Sequence, residues 1–538
     1  MIFIAVISCC TFFNLRKNDS QKASNVIIEV VKRVKLHQAA GYIESTIIVW
    51  YTSRIPRYEW SAKCCEFKTT FYITRMGAKT TGELTIGDTS SPNEALQWAE
   101  VVATRLVSCY YNASSGIWWN ELAWQSGNTL ESLANFLRIR NSSLKYVFNQ
   151  TYTKTAWDVG GECFDDYQHW LLGWIQAYSV DPNINYLYRA ADIYDIIVTR
   201  AWNATKCRGG IDWCPKNSYK NAITNELFLT SSMRLHPYAS LLRKPPSYYL
   251  DWALKEWHWF EQTTMINNNY LINDGLNDDT CLNNNQTTWT YNQGVILSGL
   301  AMLANATNNA TLLTIAQNIA DATIHYLTYP PSQQILREPC EPNCDNDQKL
   351  FKGIFIRHLS YLLAYVKDPV HAQKYRSFIQ QNAISLWTTD RCEGDGLFGV
   401  VWNATMSATA CDPSRDAATT SAALDLFVAA AQTGNGPVIT AKWMLLGMGN
   451  CMDGRNESMA NIYRSGVSES VCRETSESDV GAVAYDYELK CDGSRFCRIR
   501  TLSDRHATPE GWTYEDGNAL TVTNTNGRAL VNCYLRTD

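Results

Sequence analysis

No stretch of 18 or more apolar residues occurs in the 538-residue sequence, so no membrane-spanning helix is expected. Neither charge sign dominates: 47 Lys and Arg against 52 Asp and Glu leave a net charge of −5. That argues against a nucleic-acid partner gripped by a broad basic surface. His-Glu-x-x-His, Gly-x-Ser-x-Gly and the P-loop are all missing, so the signatures of zinc peptidases, serine hydrolases and P-loop phosphate binding are not present. Gly394 to Gly399 matches Gly-x-Gly-x-x-Gly, but no strand precedes it and it reads as a loop. The acidic run Asn273 to Asp279 lacks EF-hand spacing. Neither a metal nor a cofactor is expected.

What the sequence does contain is a globular composition, 46% hydrophobic and 18% charged, with 19 Trp and 29 Tyr. Aromatic faces stack well on sugar rings, although ordinary cores use aromatics too. The 18 Cys would point to metal or redox sites in a cytosolic enzyme. Asn-x-Ser/Thr sequons at Asn18, Asn112, Asn141, Asn149, Asn203, Asn285, Asn305, Asn309, Asn403 and Asn456 favour instead a secreted, extracellular or cell-wall glycoprotein with disulfides. The apolar start MIFIAVISCCTFF has signal-peptide length but no basic n-region and no clear cleavage site. The polar end VNCYLRTD has no hydrophobic tail of the GPI type.

Residues 1–89 are expected to hold this signal or anchor and a locally basic segment without assigned role, up to a boundary signal at Thr89–Asn93. From there, apolar residues at i, i+3, i+4, i+7 recur over 93–109, 121–139, 143–157, 164–179, 185–202, 219–236, 246–263, 290–305, 309–328, 348–366, 369–387 and 416–432. Twelve helices amount to six helical hairpins. They predict an all-α (α/α)6 toroid over 90–435, with an open solenoid as the alternative. Residues 440–538 change character, with short β-type runs (AVAYDYEL, ALTVTN) and Cys451, Cys472, Cys491, Cys497 and Cys533. They predict a small β-rich, disulfide-containing accessory domain. Five cysteines are odd in number, so one is free or pairs outside it.

The strongest local signal is Phe164-Asp165-Asp166-Tyr167-Gln168-His169-Trp170 at the start of a predicted helix. Counting back four residues from Trp170 puts Asp166 on the apolar stripe, with Asp165 about 100° round the helix. Two acids at an interior helix end are costly unless used or paired. A helix N-terminus stabilises one carboxylate, whose charge then raises the pKa of the other. One carboxylate beside one carboxylic acid is the requirement of glycoside hydrolysis. Adjacent short side chains favour the ~5–5.5 Å carboxyl separation of retaining enzymes over the ~6.5–9.5 Å of inverting ones. The plainer reading is a helix cap with a solvated neighbour.

Polar and aromatic groups recur at other predicted helix starts, in YKNAITNE from Tyr219, WTYNQG from Trp289 and FKG from Phe351. In a toroid one set of helix ends surrounds a central cleft, where such groups meet hydroxyls and ring faces.

GIWWNE at 116–121, FDDYQHWLLGWIQAY at 164–178, YLYRAADIYDII at 186–197, CRGGIDW at 207–213, YKNAITNELFL at 219–229, YLDWALKEWHWF at 249–260, LINDGL at 271–276, WTYNQGVILSGLAML at 289–303 and FKGIFIRHLSYL at 351–362 follow in one order. Together they resemble glycoside hydrolase family 76, the α-1,6-mannanases, especially the fungal cell-wall type. The resemblance covers about residues 90–430. It implies an (α/α)6 barrel and a retaining endo-α-1,6-mannosidase acting on α-1,6-mannan or mannoprotein glycans. It implies Asp165 as nucleophile, Asp166 as general acid/base, and Asn221, Asp274, Tyr291, Asn292, Gln293 and Lys352 near sugar. It leaves open a transglycosylase that joins GPI-linked mannoproteins to wall glucan; a non-catalytic glycan-binding protein is the reading from a different class. The 440–538 region is faintly similar to PAN/apple or lectin-like modules, which bind carbohydrate or protein.

Overall fold

In a computed structural model of the chain, the structure describes residues 37–39, 42–46, 68–70, 94–118, 124–155, 162–392, 395–404, 411–433, 443–448, 450–452, 460–478, 482–501, 509–510, 512–515, 524–525 and 530–536. The apolar start 1–13, the boundary signal 89–93, Gly394, two sequons (Asn18 and Asn456) and most of ALTVTN lie outside them. The chain divides into two compact units, Met1–Ile86 and Gly87–Asp538. The first holds β1 (His37–Ala39), β2 (Tyr42–Thr46) and β3 (Lys68–Thr70), paired antiparallel in that order.

The second opens with twelve helices: α1 (Glu94–Arg105), α2 (Trp124–Ile139), α3 (Tyr146–Lys154), α4 (Phe164–Val180), α5 (Ile184–Arg200), α6 (Ala222–Leu235), α7 (Tyr248–Phe260), α8 (Thr290–Thr307), α9 (Ala310–Tyr326), α10 (Gln348–Leu363), α11 (Pro369–Ser385) and α12 (Ala417–Gln432). The even-numbered helices touch in a closed ring, α2–α4–α6–α8–α10–α12 and back to α2, and the odd-numbered ones pack outside it. This is the (α/α)6 toroid that the periodicity predicts.

Burial separates the two layers. A helix covered on all sides needs no polar face, whereas an outer helix carries one apolar stripe. Every residue of α12 from Ala417 to Ala430 is buried. On α5 the buried set is Tyr186, Leu187, Ala190, Ala191, Ile193, Tyr194 and Ile197, the stripe of an outer helix. Close approach fixes the inner ring. A Cβ on Gly353 of α10 would sit 2.5 Å from the Ala422 Cα of α12.

Side chains mark the helix starts by accepting the backbone N–H groups that a first turn leaves unpaired. Asn183 accepts from Asn185 N (3.1 Å), Asn309 from Thr311 N (3.1 Å) and Asp416 from Ala418 N (2.8 Å) and Thr419 N (3.1 Å).

After α12 come β4 (Trp443–Met448), β5 (Cys451–Met452), β6 (Asn461–Ser465), α13 (Glu469–Ser478), β7 (Ala482–Leu489), β8 (Arg495–Thr501), β9 (Thr513–Glu515), β10 (Asn524–Thr525) and β11 (Val531–Arg536). Six of these strands form an antiparallel sheet, order β4-β11-β7-β8-β6-β9. Cys451–Cys533 and Cys472–Cys497 staple it. The fifth cysteine pairs outside the sheet, because Cys491 is bonded to Cys109, just after α1. Arg105 Nη1 donates to Leu489 O (3.1 Å), and Arg391 meets Glu469 at 2.9 Å across the same junction. Barrel and sheet therefore share one hydrophobic core, with Ile462, Tyr485 and Ile499 in the same cluster as Trp98 and Phe427. Among the described residues no helix is long and apolar enough to cross a membrane.

Candidate active site

Asp165 and Asp166 are the second and third residues of α4, whose N-cap is Cys163. Asp166 closes a capping box: its Oδ2 accepts from Cys163 N (3.2 Å) and Glu162 N (3.2 Å). Asp165 Oδ1 accepts from Asp166 N (3.1 Å) and its Oδ2 from the indole Nε1 of Trp213 (3.0 Å). Carboxylate oxygens of the two residues lie within 4.8 Å of each other. Both side chains are half-buried, and the fully buried polar residues of that turn are Gln168 and His169.

Burial pushes the Asp165 carboxyl up to about 6, while the Trp213 and backbone hydrogen bonds oppose the rise. Asp166 is pushed higher, to about 8, by burial and then by the negative charge of Asp165. The pair thus keeps one proton near neutrality. Cys163, beside both, is bonded to Cys214 and offers no thiolate to a metal.

A third carboxylate faces the pair. Asp347, at the N-cap of α10, accepts from Trp124 Nε1 (3.0 Å) and Gln125 Nε2 (2.5 Å). Its charge raises the pKa of both aspartates. Sequence reasoning missed Asp347; its position just before α10 was the available signal.

The remaining predicted residues divide into two groups. Asp274 accepts from the Tyr219 hydroxyl (2.5 Å), Tyr219 packs edge-on to Trp213, and Trp213 reaches Asp165, so Asp274 is linked to the pair. Tyr291 stacks on Phe351 (centroids 3.7 Å apart) and feels the charges of Asp274, Asp165 and Asp347. Asn221 caps α6 through Thr224 N (3.3 Å), and its backbone bridges to Gly275. Asn292, Gln293 and Lys352 are buried, as is Asn221. Gln293 holds the backbone of Ile272 (2.7 and 2.8 Å) and Trp289 O (3.0 Å). The three ammonium protons of Lys352 face Glu341 (2.5 Å), Val400 O (2.5 Å) and Leu336 O (3.3 Å). The amide of Asn292 has no hydrogen-bond partner among the described residues.

The sequence profile of glycosyl hydrolase family 76 matches residues 148–441, more than half of the chain. The chain belongs to this family. A mannan endo-1,6-alpha-mannosidase of Candida albicans is 27% identical over 273 residues, 46% of this chain and 58% of the relative. One of Saccharomyces cerevisiae is 30% identical over 210 residues, 37% of this chain and 44% of the relative. The chain thus spans about half the length of the relatives it matches. Among solved structures, an alpha-1,6-mannanase of a Salegentibacter species superposes with a TM-score of 0.54 at 19% identity, over 63% of this chain and 99% of that one. An inactive variant of that enzyme, with two neighbouring aspartates changed to asparagine and alpha-1,6-mannotriose bound, superposes with a TM-score of 0.55 at 19% identity, over the same shares of the two chains. These likenesses establish the shared fold.

Proposed function

We propose that this family 76 chain is a retaining glycoside hydrolase that cleaves α-1,6-mannosidic bonds within mannan or mannoprotein glycans. The observation that carries the reading is the geometry at the start of α4: two carboxyls with oxygens within 4.8 Å of each other, one held by the Trp213 indole and the other by the backbone N–H groups of Glu162 and Cys163. In the first step the Asp165 carboxylate attacks the anomeric carbon while Asp166 gives its proton to the leaving oxygen. In the second, Asp166 takes a proton from water, and that water displaces Asp165 with configuration retained. Asp274, Tyr291 and Asn221 are assigned to sugar binding. The named substrates of the relatives and the bound mannotriose support the choice of linkage. Seven disulfides among the described residues support passage through an oxidising compartment. So do the eight sequon asparagines among the described residues, none of them buried. The C-terminal sheet is assigned to glycan or protein contact.

The test is incubation with linear α-1,6-mannan, following product size and anomeric configuration by NMR. Shorter products released first as the α-anomer are expected. Initial β-anomer overturns retention. Products longer than the substrate place the activity with sugar acceptors rather than water, and no cleavage with retained binding makes the chain a glycan binder.

A further inference from the structure

Trp213 is tied to the start of α4 in three ways. Its indole N–H donates to Asp165 Oδ2 (3.0 Å), its carbonyl accepts from Phe164 N (2.8 Å), and the next residue, Cys214, is bonded to the N-cap Cys163. The turn beyond it is short and exposed: Cys214 and Asn217 exchange backbone hydrogen bonds (3.1 and 3.0 Å), with Pro215, Lys216 and Asn217 in solvent. On the far side of that turn Tyr219 O accepts from Trp213 N (3.0 Å), and the Tyr219 ring packs edge-on to Trp213.

The two carboxyls differ in where a proton can go. Each Asp165 oxygen accepts an N–H, and protonating the carboxyl weakens hydrogen bonds that its ionised form makes. Asp166 receives both of its N–H bonds on Oδ2, and its Oδ1 has no hydrogen bond among the described residues. An indole N–H only donates, and so favours the ionised form of whatever it touches.

We propose that Trp213 is a positioning residue that holds Asp165 as the attacking carboxylate, and that the Cys163–Cys214 bond keeps its indole N–H in place. The proposal rests on the reading of Asp165 as nucleophile. The titratable groups facing Asp165 are Asp166 on its own helix, Asp347 at the cap of α10 and Tyr291 at the start of α8. All three are acids, and the indole is the one side-chain N–H that donates to Asp165 among the described residues; losing it leaves backbone amides alone to favour the carboxylate.

Trp213→Phe keeps a ring and removes the donor. On α-1,6-mannan, kcat/KM is expected to fall about tenfold, with the acid limb of its pH profile moved up by about one unit and KM changed less than about twofold. The Cys163→Ala/Cys214→Ala double variant is expected to move the acid limb in the same direction. An acid limb coincident with wild type in Trp213→Phe overturns the role of the indole. A double variant with an unmoved limb, or one that fails to fold, overturns the role of the disulfide. If the wild type turns over no mannan, the functional reading has failed by itself. The positioning role is then decided by a 13C NMR titration of the Asp165 carboxyl: an upward shift in Trp213→Phe supports it, and coincident titrations refute it.

Discussion

Glu226 lies on the inner helix α6, fully buried, and neither of its carboxyl oxygens has a hydrogen-bond partner among the described residues. Burial alone drives its pKa well above the ordinary carboxylate range. The consequence for folding has a definite sign. A carboxyl whose folded pKa is raised contributes its full stability only below the unfolded pKa of about 4.3. Above that, the unfolded chain releases the proton and the folded one keeps it, so stability drains away as pH rises. Over the range in which the folded chain keeps the proton and the unfolded one has lost it, the loss is about 1.4 kcal/mol per pH unit. Glu226→Gln matches the shape of the protonated acid and binds no proton in either state. The variant is therefore expected to equal the wild type near pH 4.5 and to exceed it progressively towards pH 7. Thermal unfolding midpoints of both proteins across that range measure the difference. A difference that does not change with pH refutes the buried neutral acid.

Asp166→Asn is expected to lower kcat on α-1,6-mannan by about 10²- to 10⁴-fold, because the leaving oxygen loses its proton donor; steady-state kinetics check this. The wild-type kcat/KM should rise through a pH of about 6 as Asp165 ionises and fall through about 8 as Asp166 loses its proton, and a pH–rate profile reads both limbs. Gly353→Ala should destabilise the barrel by at least about 1–3 kcal/mol, since its Cβ would meet backbone of α12 at 2.5 Å; denaturant unfolding measures the loss.

The helical frame was legible because its outer layer has a strict 3.6-residue stripe and its segments are punctuated by caps. The pattern over 164–179 corresponds to Phe164–Val180, and that over 416–432 to Ala417–Gln432. Disulfide partners were not legible, because they depend on which loops meet in space. Cys207 and Cys214, seven residues apart, bond instead to Cys281 and Cys163. Nor can one sequence separate a lysine aimed into a cleft from one aimed at buried carbonyls. Lys352 sits in an apolar, aromatic stretch of helix either way, and its partners Glu341 and Leu336 come from the α9–α10 connection and Val400 from beyond α11. Asp347 shows the converse, a carboxylate whose charge acts on Asp165 and Asp166 from a segment crowded with other acids.

The Cys109–Cys491 bond has a topological consequence. It joins residues 382 positions apart, and helices α2 to α12 all lie between them. That stretch of polypeptide is a closed covalent loop rather than a string with two ends. A single proteolytic nick within it, for instance at the exposed 215–217 turn, releases no fragment. The nicked molecule would migrate as one species until its disulfides are reduced, so the protein can lose continuity of its backbone while its barrel stays in one piece.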